Sequence, residues 1–109
     1  MVTLEVHPDR IGPQPDLQIP TLSSVCWFNA LGQPGHRIRV QLDRPLGVSE
    51  NCSTTLAFRP GQDGKALSLE LDASECAVLC FHEAGDYAYE VTGAGSPMRG
   101  RIAVRGGGQ

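Results

Sequence analysis

Glycine and proline recur so often along this chain that a long helix has nowhere to form. Thirteen glycines and eight prolines divide the 109 residues into short apolar runs, spaced about ten residues apart as in an all-β sandwich or barrel. No stretch keeps a helical period for three turns. Residues 2–6 (Val-Thr-Leu-Glu-Val) alternate and predict a first strand, whereas 7–15 are punctuated too densely for a ladder. An extended region follows through 17–19 and 23–29, with Val25 and Trp27 on one face and Cys26 and Phe28 on the other. In 36–42, Ile38, Val40 and Leu42 alternate with Arg37, Arg39 and Gln41, a half-buried strand with one wet face. Strands are expected again at 54–58 and 66–71, with 59–64 as the turn between them, and then at 76–81, 87–91 and 101–104, giving about eight in all. Within 76–81, parity sets Leu79 and Phe81 against Cys76, Val78 and Cys80.

A chain of this length fits one domain with one two-layer core, here residues 1–105, followed by a flexible glycine tail at 106–109. With 40% hydrophobic and 19% charged residues it is too apolar for disorder. A net charge of −3 and a single lysine, Lys65, lack the basic footprint of nucleic-acid binding. No run approaches the roughly 18 apolar residues of a membrane-spanning helix. Met1 leads straight into the first strand with no signal peptide. The protein is therefore expected in the cytoplasm if Met1 is the natural start, and in the periplasm or outside the cell if Met1 was appended to an excised domain.

The last two strands carry the most distinctive pattern. Gly85-Asp86-Tyr87-Ala88-Tyr89-Glu90-Val91, then a loop, then Met98-Arg99-Gly100-Arg101-Ile102-Ala103-Val104 resembles the carboxy-terminal hairpin of a cupredoxin, the blue-copper fold. Val25-Cys26-Trp27-Phe28-Asn29 is similar to that family's Val-x-Trp-x-Asn strand, with His36 following seven residues later, and Phe81 stands four residues before Gly85. The likeness spans roughly residues 2 to 104 and implies a Greek-key sandwich. It also implies ligand positions: His36 matches the first histidine and Met98 the weak axial methionine. The thiolate position falls at Val91, and the second histidine should lie within 92–97, which reads Thr-Gly-Ala-Gly-Ser-Pro. A blue-copper centre needs a cysteine sulfur and two imidazoles, with methionine only as a long axial contact. The thiolate and one imidazole are missing, so conventional electron transfer is not expected. Copper(I), being softer, could still use His36 and Met98 with a third donor.

Cys80 and His82, two apart in an extended run, could share a face and hold a metal, set against Cys76 and Cys80 serving as small buried hydrophobes. Cys26 and Cys52 are the better-placed pair for a disulfide, although four cysteines permit three pairings. No nucleophile elbow, phosphate loop or zinc-protease helix is present, and the carboxylates are scattered singly. An immunoglobulin-like sandwich is the alternative fold, with Tyr87 in a tyrosine-corner role. Against it, Cys26 directly precedes Trp27, whereas that fold separates the two widely. The expectation is a non-catalytic cupredoxin-like domain that binds a protein partner or helps assembly, with no cofactor. The alternative is a copper-binding or trafficking protein using His36 and Met98, with Cys80 and His82 as further candidate ligands.

Overall fold

The computed structural model describes residues 2–45 and 58–106. Among them are ten strands in two sheets and no helix. β1 (Val2–Val6), β2 (Ile11–Gly12), β4 (Ser23–Asn29) and β8 (Cys76–Phe81) form one sheet in the order β2-β1-β4-β8. The other runs β3-β10-β9-β5-β7-β6, built from β3 (Leu17–Pro20), β5 (Arg39–Leu42), β6 (Phe58–Pro60), β7 (Ala66–Ser68), β9 (Gly85–Thr92) and β10 (Met98–Arg105). The opening of the chain serves both sheets: β1 lies parallel to β4, and β3 lies parallel to β10.

The core lies between the sheets and follows the alternation in the sequence. Leu4, Val6, Val25, Trp27, Ala77, Leu79 and Phe81 bury from one side, and Val40, Leu42, Tyr87, Tyr89, Val91, Ile102 and Val104 from the other. Each large apolar side chain so buried contributes about 1.5–3 kcal/mol. Trp27 stands edge-on to Phe58 and Tyr89 at ring separations of 5.7 and 5.4 Å, and Phe81 to Tyr87 at 4.9 Å, arrangements worth about 0.5–1.5 kcal/mol each beyond area burial. The Tyr87 hydroxyl donates to the Glu83 carbonyl at 3.0 Å, the corner hydrogen bond that the sequence pattern suggested, here within a different sandwich.

Several expected boundaries shift for physical reasons. Residues 7–15, read as irregular, contain β2, which pairs with β1 through Val6↔Ile11 and Glu5↔Gly12 across a turn closed by the His7 N–H on the Arg10 carbonyl. A two-residue strand is too short to leave a period. Arg59 and Pro60, read as turn, belong to β6. That strand lies at the sheet edge, where proline's missing donor costs no ladder bond. The rest of the expected 54–58 strand lies outside the described residues. Strand 36–42 begins only at Arg39, with Ile38 joined to Leu71 by an isolated bridge.

Candidate functional site

One end of the sandwich gathers the loop after β4, the turn after Leu71 and the tip of the β9–β10 hairpin. Asn29 closes β4 and is 1% exposed. Its amide donates to the carbonyls of His36 and Leu71, both at 2.8 Å, and its oxygen accepts from the Leu31 N–H at 2.9 Å. One buried side chain thus pins both ends of the 30–36 loop. Asp72 holds the loop from outside: its carboxylate accepts from the backbone N–H groups of Ala73 at 2.7 Å and Gly35 at 2.9 Å. Those two hydrogen bonds, aided by Arg37, hold the carboxyl below its ordinary pKa.

The hairpin tip closes against this loop. Gly93 has φ +104°, and a Cβ there would run into the backbone of Arg37 and Ile38, so both conformation and space require glycine. Pro8, Leu31, Gln33, His36, Gly93, Ala94 and Gly95 line a cleft of about 310 Å³ between them.

His36 is exposed on the rim of this cleft, its backbone N–H on the Gln33 carbonyl at 3.2 Å. Met98 opens β10 opposite Val91, packs against the core, and lines a different cleft with Asp9, Arg10, Ile11, Pro15 and Arg99. Val91, at the position the resemblance reserves for the thiolate, is 0% exposed, with Val40 and Met98 as its cross-strand neighbours. An aliphatic side chain sealed between strands offers a metal nothing, and 92–97 supply only hydroxyls. The donor set does not fit a type 1 copper centre. Among the described residues, no three His, Cys, Asp or Glu side chains converge as metal ligands.

The cysteines depart from the sequence expectation. Cys80 is disulfide-bonded. In that state its sulfur is not a thiolate and cannot ligate with His82, which is exposed just beyond β8. Cys26 is a free thiol, which corrects the expected Cys26–Cys52 bridge; Cys52 itself lies outside the described residues. Reach within one strand is legible from spacing, but bonding between strands depends on register. The anchoring by Asn29 and Asp72 was likewise missed, although a lone Asn ending an apolar strand was a usable signal.

Among solved structures, the chain is similar to the reduced Cu(I) form of an amicyanin variant (TM-score 0.64, 19% identity, covering 95% of this chain and 81% of that one). The reduced state of another amicyanin variant gives 0.64 at 21% identity with the same coverage. Amicyanin from Paracoccus versutus (Thiobacillus versutus) gives 0.62 at 20%, covering 95% and 80%. No family model and no curated protein matches the sequence. Likeness at this level of identity concerns the fold, which is that of the cupredoxins.

Proposed function

We propose that this protein is a non-catalytic binding or assembly module, a cupredoxin shell whose metal end has become a small apolar cleft for a protein partner. The observation that carries the reading is Val91, sealed into the core where a thiolate would stand. The cleft beside it is at the low end of small-molecule pocket sizes, which run from about 300 Å³ upward. Pro8, Leu31 and Ala94 give it walls suited to one apolar side chain of a partner. The Cys80 disulfide supports the extracellular or periplasmic alternative for location, because such bonds persist in oxidising compartments.

The test is a titration of the native protein with copper(II), and with copper(I) under anaerobic conditions. We expect no intense blue thiolate-to-copper absorption, and no stoichiometric binding that depends on His36 or Met98. A blue protein would refute the reading. A colourless copper(I) complex lost in both His36→Ala and Met98→Leu would instead support copper trafficking through those two side chains.

A further inference from the structure

We propose that Cys76 is a thiol–disulfide exchange site and that Cys26, on the neighbouring strand, is its resolving thiol. This rests on the first sheet, away from the loop-end cleft, and stands independently of the function proposed above. Cys26 lies opposite Val78 and Phe28 opposite Cys76 in the β4–β8 ladder. The two cysteines therefore occupy adjacent pairs on the same face, turned away from the core residues Val25, Trp27, Ala77 and Leu79. Such diagonal neighbours have Cβ atoms about 7 Å apart or closer, and the Cys76 thiol is near enough to help raise the Cys26 pKa. Both are free.

Their surroundings assign the roles. Cys76 is exposed and lines an open cleft with Leu69, Glu70, Leu71 and Glu75. Leu69 is one of two large apolar side chains standing exposed among the described residues, at 46%. Cys26 is 4% exposed, and burial together with the neighbouring thiol raises its pKa to about 12. An incoming disulfide can reach only Cys76, and Cys26 acts once a reactive sulfur is delivered to it. Diagonal spacing exceeds what a disulfide spans, so the bridge needs a backbone shift. Cys76 is the first residue of β8, so bridging shifts the end of the ladder, beside the Asn29 N–H bond to the Glu75 carbonyl and the Ser74 N–H bond to the Asn29 carbonyl, and not its middle.

The substrate class is a small aliphatic disulfide, cationic or neutral, because Glu75 and Glu70, the latter paired with Arg37 at 3.7 Å, leave the cleft net negative. The Cys76 thiolate attacks one sulfur of RSSR, the S–S bond breaks, and RS⁻ leaves and takes up a proton. The Cys26 thiol, losing its proton to solvent, then attacks the Cys76 sulfur and expels the second RS⁻. Two protein thiols and one RSSR become one protein disulfide and two RSH, with RSSR as the oxidant.

The native protein, with the Cys80 disulfide intact, is treated in turn with cystamine, which is dicationic, and with oxidised glutathione, which is anionic. The products are mapped as unreduced peptides by mass spectrometry. We expect a transient adduct on Cys76 that disappears as a Cys26–Cys76 cross-link forms, faster with cystamine than with oxidised glutathione. Cys26→Ser should accumulate the Cys76 adduct, and Cys76→Ser should lose the reaction. A persistent Cys76 adduct in the wild-type protein, or a cross-link from Cys26 or Cys76 to Cys80, would overturn the proposal, and this readout does not require either variant to fold. Equal rates for the two probes would overturn the assignment of substrate class.

Discussion

Gly100 shows how one residue can be dictated by a partner far along the chain. It lies opposite Tyr89 in the β9–β10 ladder, and the Tyr89 ring crosses it to donate its hydroxyl to the Pro15 carbonyl. A Cβ at position 100 would occupy the space of both the Pro15 carbonyl and the Tyr89 phenol. Gly100→Ala is therefore expected to destabilise the protein by about 1–3 kcal/mol, the usual cost of overpacking, read as a lower urea midpoint. An unchanged midpoint would mean that Tyr89 is free to swing aside. Asn29 is the other dictated residue. Asn29→Leu keeps the branched skeleton but leaves the His36 and Leu71 carbonyls and the Leu31 N–H without their partner. The expected loss is about 3 kcal/mol, with faster amide exchange at Leu31. The Trp27 indole N–H, packed beside the Tyr89 ring, is the one buried side-chain nitrogen or oxygen among the described residues without a hydrogen-bond partner.

Among the elements, those with long alternating stretches were legible in advance. Gly85–Thr92 and Met98–Arg105 sit close to where the pattern placed them, because each puts three buried residues at alternate positions on one face. The short element β2 was not legible, and of β6 only Phe58 fell within an expected strand: their pairing is decided by a neighbour's free edge and not by their own side chains. The 72–75 turn is of the same kind, and its electrostatics can be tested. The Asp72 carboxyl is lowered in the folded state by the Ala73 and Gly35 N–H groups, and Asp43 is lowered by the Arg44 guanidinium beside it. A depressed folded pKa adds stability that is complete above the unfolded value, near 3.8, and is lost as pH falls through the lower folded value. Thermal unfolding should therefore show stability declining as the pH falls below about 4. Asp72→Asn should be less stable at neutral pH and show a flatter acid decline. An unchanged acid limb would show that the loop holds without the charge.

At the scale of the whole molecule, the two sheets are joined by an apolar core and one of them carries a disulfide-bonded strand. Removing the Cys80 disulfide with a mild reductant should cost about 2–4 kcal/mol, seen as a fall in Tm, while Cys26 and Cys76 are already thiols. The single tryptophan is fully buried, so its emission should shift to longer wavelength only on unfolding and report the same transition.

The amino-acid sequence by itself determined the all-β class, the faces of the main strands and the valine at position 91, where the resemblance would place a thiolate. Each of these depends on residue type and on neighbours a few positions away. Only the tertiary structure decided that Asn29 anchors His36 and Leu71, that Cys26 and Cys76 lie diagonally on one sheet face, and that His36 and Met98 line separate clefts. These are contacts between strands and loops distant in sequence, set by register and sheet order, and alternation along a single strand carries no information about which strand will lie beside it.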